Sequence, residues 1–125
     1  MEAVRTWQMA WSWRGCPMSV GVDETGTGRT VLVLPAPSSV STREEMRPLT
    51  SALAGLGRFV VPDWPGFGTL PKPQIGFAPQ AFLQFLRDLV ASEASPLHAT
   101  IAAGHAASYA LVQRFHGSTL ITRQH

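Results

Sequence analysis

Three short runs of consecutive apolar residues limit the folds that this chain can adopt. The first, Thr30 to Leu34, consists of β-branched residues and leucine, and the segments Arg58 to Pro62 and Leu97 to Ala103 are similarly apolar. Runs without polar alternation are typical of strands that are buried on both faces, as in parallel sheets. Parallel strands need long crossover connections, which are usually helices. The three runs therefore predict an α/β fold with a mostly parallel sheet.

The segments that connect these runs have the residue spacing of helices. Ser41 and Glu44 stand at capping-box spacing before an apolar helical pattern, and Pro48 is expected to kink or restart that helix. A second helix is predicted from Pro79, with an apolar face, and a third over Ala106 to Phe115. Strands that alternate with helices predict a sheet with helices on both faces.

The N-terminal segment has a different pattern. Trp7, Met9, Trp11 and Trp13 alternate with polar or small residues, which predicts a half-buried strand over Thr6 to Arg14. Further strands are predicted over Pro17 to Val22, before a turn at Glu24 to Gly28, and over Ser118 to Thr122. Because no linker or repeat interrupts the pattern, residues 1–125 are predicted to form a single domain.

Composition excludes several classes of function. The 10 Lys and Arg exceed the 8 Asp and Glu by only two and form no cluster, so no nucleic-acid partner is expected. The single cysteine, Cys16, allows no internal disulfide. No secretory leader or apolar run of membrane-spanning length is present, which predicts a cytoplasmic protein without a membrane partner. Dinucleotide, Walker and metal-ligand patterns are also missing, so neither a cofactor nor a metal is expected.

A glycine-rich motif, Asp63-Trp64-Pro65-Gly66-Phe67-Gly68, follows directly after the second apolar run. Leu34-Pro35-Ala36 after the first run and Met46-Arg47-Pro48-Leu49 in the helix precede it in the chain. In this order the motifs resemble the N-terminal half of the α/β-hydrolase superfamily. The resemblance covers nearly the whole chain and implies a partial α/β-hydrolase-type sheet.

The resemblance places the family's nucleophile elbow, G-x-S-x-G, at Gly104-His105-Ala106-Ala107-Ser108. Ala106 then occupies the position of the nucleophile, and a methyl group cannot attack a carbonyl. Ser108 stands where the family has a glycine, two residues beyond that position. His105 is a partly buried structural residue, a base, or a contact to a ligand.

Backbone donors for an oxyanion hole are implied at Ala36 and Ala107. The family usually has His-Gly where this chain has Pro35-Ala36, and the next residue, Pro37, has no N–H to donate. A shift of one residue would restore a donor at Ala36 or Ser38. Any small-molecule ligand is expected at the C-terminal ends of the strands, where open α/β sheets bind their ligands, in a pocket lined by Pro35, Ala36, Trp64, His105 and Ala107.

In this family the acid and the catalytic histidine come from later strands, and the sequence given ends at His125. The resemblance therefore predicts a domain that is truncated before those strands, with an open sheet edge through which copies could self-associate. Three interpretations remain open. The chain is a hydrolase-like protein acting on a small organic substrate without the usual serine, a pseudoenzyme that binds a small molecule without catalysis, or a fragment without independent function.

Overall fold

The structure is a computed structural model that describes residues 4–35, 43–53, 55–65, 79–103, 106 and 119–123. Six strands are present in this part of the chain: β1 (Arg5–Trp13), β2 (Cys16–Thr25), β3 (Thr30–Leu34), β4 (Arg58–Pro62), β5 (Leu97–Ala103) and β6 (Thr119–Arg123). Two α-helices accompany them, α1 (Arg47–Ala52) and α2 (Pro79–Glu93), and a 3-10 helix over Arg43–Met46 leads into α1.

All six strands form one sheet in the order β1-β2-β4-β3-β5-β6. The pairs β1–β2 and β2–β4 are antiparallel, and the remaining pairs are parallel. The sequence therefore predicted the fold class correctly, as a mostly parallel α/β sheet with an antiparallel beginning. Strand β2 extends past the predicted end at Val22 because Asp23, Glu24 and Thr25 pair with β4. The turn follows at Gly26, where φ is +87°.

The first predicted helix is shorter and less regular than its sequence pattern indicates. Pro48 lies in the first turn of α1, where the missing proline N–H costs no hydrogen bond, and the residues before it form the 3-10 helix. The second helix extends from Pro79 through Glu93, as its apolar periodicity predicts. Of the third predicted helix only Ala106 is described, and it is helical. No helix in the described ranges is long and apolar enough to cross a membrane.

Helices cover both faces of the sheet, as predicted, and each face buries its own apolar cluster. On one face Leu32, Leu34 and Val60 pack against α2. On the other face Val33, Phe59 and Val61 pack with Met46, Leu49 and Leu53. Residues that are adjacent in β3 and β4 thus point to opposite clusters, which explains why these strands are apolar at every position. We call the two groups the α2-side cluster and the α1-side cluster.

The alternating Trp and Met residues of β1 belong to the α2-side cluster. Met9 and Trp11 are buried, while Trp7 and Trp13 are partly buried and pack against the same cluster. Trp11 meets Phe85 of α2 edge to face, with ring centroids 5.5 Å apart. The period-2 pattern is therefore a core-facing strand surface, as the sequence predicts.

Candidate functional site

The C-terminal ends of β3, β4 and β5 lie at one edge of the sheet because these strands are parallel. Pro35 follows β3, Asp63 and Trp64 follow β4, and Ala106 lies three residues after the end of β5. Topology therefore brings together residues that are 71 positions apart in the sequence, from 35 to 106. This edge is where an open α/β sheet is expected to bind a ligand.

Trp64 connects two of the segments that leave this edge. Its indole Nε1–H donates a hydrogen bond of 2.6 Å to the carbonyl oxygen of Pro35. The ring packs edge to face on Phe82, with centroids 5.2 Å apart, and only 2% of the residue surface is exposed. Pro35 is buried as well. The predicted pocket residues Pro35 and Trp64 are thus in contact, and both are part of the packed interior.

Ala106 is fully buried and belongs to the α2-side cluster together with Leu34, Trp64 and Ala102. The position that the elbow motif gives to a nucleophile therefore carries a methyl group in apolar surroundings. The other residues predicted for the site, Ala36, His105 and Ala107, lie outside the described residues, as does Ser108. The roles of Ala36 and Ala107 as oxyanion-hole donors and of all three predicted residues as pocket lining stay predictions.

A buried ionic network beside this edge was not predicted from the sequence. The Asp63 carboxylate accepts the backbone N–H of Arg43 at 2.7 Å and is also paired with the Arg43 guanidinium. Arg43 Nε donates to Asp23 at 3.0 Å. Asp23 further accepts hydrogen bonds from Thr6 Oγ1 at 2.8 Å and Arg47 Nε at 3.1 Å. Two carboxylates are thereby matched with two guanidinium groups.

The network joins three parts of the chain: β2, the segment after β4, and the 3-10 helix that follows the segment after β3. Gly21 makes room for it, since a Cβ there would overlap Arg43 Nη1 and lie 3.0 Å from Asp63 Oδ2. The Gly21 carbonyl also accepts the N–H of Asp63 at 2.8 Å. Together with the Trp64–Pro35 hydrogen bond, these contacts fix where the chain leaves β3 and β4.

Burial opposes the charges in this network. Desolvation is the largest influence on Asp63 and raises the pKa of its carboxyl, while the contacts with Arg43 act in the opposite direction. Desolvation lowers the pKa of Arg43, but the carboxylates of Asp63 and Asp23 outweigh it and raise that pKa overall. Buried ion pairs often fail to recover their desolvation cost. The net contribution of the network to the free energy of unfolding is therefore expected to be small.

No signal in the sequence singles out this network. Asp23 lies in a strand, Arg43 near a helix start and Asp63 in a glycine-rich motif, and only the sheet order brings them together. The described residues contain no group of three or more His, Cys, Asp or Glu side chains that could hold a metal ion. The described contacts link the chain segments at this edge of the sheet, and Ala106, which lies there, carries no nucleophile.

No family model matches the chain, and no curated protein matches it in sequence. Solved structures do match it closely in fold. A probable hydrolytic enzyme from Pseudomonas aeruginosa superposes with a TM-score of 0.80 at 18% identity, over 94% of this chain and 40% of that enzyme. The chain has part of the α/β-hydrolase fold.

Other α/β-hydrolase-fold neighbours carry different activities. An esterase from Thermogutta terrifontis superposes with a TM-score of 0.74 at 17% identity, over 94% of this chain and 44% of the esterase. A loop variant of a haloalkane dehalogenase from Bradyrhizobium elkanii superposes with a TM-score of 0.71 at 17% identity, over 95% of this chain and 40% of the dehalogenase. The chain thus spans less than half the length of these neighbours, and its likeness to them is one of fold.

Proposed function

We propose that this α/β-hydrolase-fold chain binds a small organic molecule at the C-terminal edge of its parallel strands and does not form an acyl-enzyme. The observation that carries the proposal is Ala106, a buried methyl group at the elbow position. Acyl transfer in this fold needs a hydroxyl or another nucleophile at that position. A fold also permits many functions, so the retained architecture is compatible with binding alone.

The surroundings of Ala106 support an apolar ligand. Ala106 shares its cluster with Leu34, Trp64 and Phe82, and Trp64 has already donated its N–H to Pro35. The described residues around Ala106 are therefore buried hydrocarbon and aromatic groups, and a ligand that reaches them would meet apolar side chains. Apolar surface with few polar contacts is typical of small-molecule sites.

Two measurements test the binding proposal. In spectra of the ¹⁵N-labelled chain titrated with ethyl butyrate or butyramide, the Trp64 indole N–H and the Ala106 amide are expected to shift. Shifts confined to other residues, or none at ligand concentrations up to about 10 mM, would contradict it, because even millimolar affinity would register there. A fluorophosphonate probe is expected to leave the wild-type chain unlabelled.

The variants Ala106→Ser and Ser108→Ala make the second measurement decisive. Labelling of the wild-type chain that Ser108→Ala abolishes would identify Ser108 as a nucleophile and overturn the proposal. Labelling that appears only in Ala106→Ser would support the proposal, since the reaction with the probe would then require a hydroxyl at position 106, where the wild-type chain has a methyl group. The binding titration is repeated on both variants, as a control that each one still folds and keeps the site.

Hydrolase-like activity on a small organic substrate is the second candidate, favoured by neighbours described as a hydrolytic enzyme, an esterase and a dehalogenase. It requires turnover by a group other than a serine at the elbow. Product formation from short-chain esters and haloalkanes, measured with wild-type chain and with Ser108→Ala, separates this candidate from binding alone.

A further inference from the structure

A groove of about 780 Å³ runs between β1 and the C-terminal half of α2. It lies at the opposite end of the strand order from β6, beside the edge strand β1. Its walls include the side chains of Trp7 and Trp11 and, from α2, Asp88, Ser92 and Glu93. The site at the ends of the parallel strands uses none of these residues.

In the described part of the chain β1 is an edge strand, and its unpaired side supplies backbone hydrogen-bonding groups to this groove. The hairpin turns through Arg14 and Gly15, both at positive φ, so Trp13 and Cys16 form a hydrogen-bonded pair. Such pairs alternate with non-bonded pairs along an antiparallel ladder. The even-numbered residues of β1 therefore direct their N–H and C=O groups away from β2.

An independent contact confirms which residues of β1 direct their backbone groups away from β2. Gly21 pairs with Gln8, yet its carbonyl accepts the N–H of Asp63, on the β4 side of β2. Gln8 is therefore one of the residues whose backbone groups point away from β2. Ala10 and Ser12, two and four residues further along the strand, have the same orientation. The edge from Thr6 to Ser12 also contains no proline and no charged residue, the devices that usually prevent strand addition.

The charge of the groove selects the kind of segment that would pair there. Its described lining contains the carboxylates of Asp88 and Glu93 and no Lys, Arg or His. Asp88 accepts only neutral donors, Trp11 Nε1 at 2.8 Å and Gln84 Nε2 at 2.9 Å. Within the described part of the chain neither carboxylate is paired with a cation. A second copy of this chain would bring the same two carboxylates toward the groove.

We propose that this groove binds an extended peptide segment with Lys or Arg at alternate positions, which adds a strand to the edge of β1. Main-chain hydrogen bonds to Gln8, Ala10 and Ser12 would hold the segment. Every second side chain of an added strand points to the face that α2 covers. Cationic side chains at those positions meet Asp88 and Glu93, and their aliphatic stems pack on the indole rings.

A fluorescein-labelled octapeptide of alternating Lys and Thr is the probe, and fluorescence anisotropy measures its affinity. Two control peptides separate the contributions. An alternating Lys-Pro peptide keeps the charge but cannot pair as a strand, and an alternating Glu-Thr peptide pairs but carries the wrong charge. The Lys-Thr peptide is expected to bind tightest, with affinity that falls as salt screens the carboxylates.

The matched variants are Ala10→Pro and Ala10→Thr. Ala10→Pro removes an outward N–H without removing a bond to β2, and is expected to weaken binding about tenfold, while Ala10→Thr leaves it unchanged. Glu93→Gln is expected to weaken binding about threefold. Circular dichroism checks that each variant keeps its fold.

Three results would overturn the proposal: equal binding of the Lys-Pro peptide, equal binding of the Glu-Thr peptide, or no effect of Ala10→Pro in a folded variant. Sedimentation of the wild-type chain tests whether a second copy of the chain, instead of a peptide, pairs with the edge of β1. If copies associate and Ala10→Pro abolishes the association, the edge pairs with itself and the proposal is wrong. None of these measurements depends on Ala106, so failure here leaves the proposed small-molecule site untouched.

Discussion

Whereas the α2 side of the sheet buries a large cluster of aromatic and aliphatic side chains, the α1 side combines a smaller apolar cluster with a buried ionic network. In the α2-side cluster the ring of Phe85 contacts the rings of both Trp11 and Trp64. The network on the other side holds Asp23, Arg43 and Asp63 with little exposure. One face is thus stabilised by non-directional burial, and the other is fixed by directional contacts with a desolvation cost.

This difference teaches how each face should respond to mutation. Apolar packing loses stability in proportion to the volume removed. A buried network loses most when one partner is deleted, because the remaining charge stays buried without compensation. Deleting both partners should then cost less than the two single losses together.

The largest effect is expected from Phe85→Ala on the α2 side. Phe85 has no exposed surface and contacts Trp11 and Trp64, so its truncation should cost about 3–5 kcal/mol of unfolding free energy. Urea unfolding followed by tryptophan fluorescence measures it. Leu53→Ala, at a partly exposed position of the α1-side cluster, is the control and should cost clearly less. Equal losses at the two positions would contradict the division between the faces.

A loss almost as large, about 3–4 kcal/mol, is expected from Arg43→Met, which leaves the carboxylates of Asp23 and Asp63 buried without their shared partner. Arg47→Met is the matched control: it also contacts Asp23, but its side chain is 46% exposed, so its loss should stay below about 1 kcal/mol.

The double variant Arg43→Met with Asp63→Asn sharpens the test. Its loss is expected to be smaller than the sum of the two single losses, since the second change removes a charge that the first one orphaned. Simple additivity in urea unfolding would mean that the two side chains act independently and that the network does not exist as a unit.

The two faces also differ in how far the sequence predicts them. Apolar runs such as Thr30–Leu34 are local signals, and the structure confirms both the strands and the mostly parallel sheet. The length of β2 was missed because Thr25 is held by pairing with Phe59, a contact 34 residues away. The ionic network was missed for the same reason, since its members come from three separated segments.

The candidate site shows a similar division. The sequence shows that Asp63 and Trp64 directly follow an apolar run, and the structure places them directly after β4, whereas the elbow assigned to the residues after β5 stays a prediction. The hydrogen bond from Trp64 to Pro35 could not be predicted from the sequence, because it depends on the ends of β3 and β4 lying side by side. Local chemistry is therefore visible in this sequence, and contacts between segments are not.

The smallest effect is expected at the N-terminal end of β4, where Arg58 pairs with Glu24 at 3.0 Å near the surface. The hydrogen bond from Arg58 is the largest influence on Glu24 and lowers the pKa of its carboxyl below 4.5, although partial burial opposes it. A carboxyl whose pKa is lowered by folding stabilises the folded state above its unfolded pKa. This contribution is lost as the pH falls through the folded pKa.

A double-mutant cycle with Glu24→Gln and Arg58→Met isolates the pair, because Arg58 also donates to the backbone carbonyl of Glu93 and to Thr30, and the loss of those contacts cancels in the cycle. At neutral pH the coupling energy is expected to be about 0.5–1 kcal/mol, typical of a pair near the surface.

The coupling energy should be constant from pH 7 down to about 5 and decrease steadily below the unfolded pKa near 4.5. A coupling energy that stays constant down to pH 3 would show that the pair does not depend on the carboxylate charge. High salt should reduce it far more than it reduces the loss from Arg43→Met, since screening acts on exposed charges and much less on buried ones.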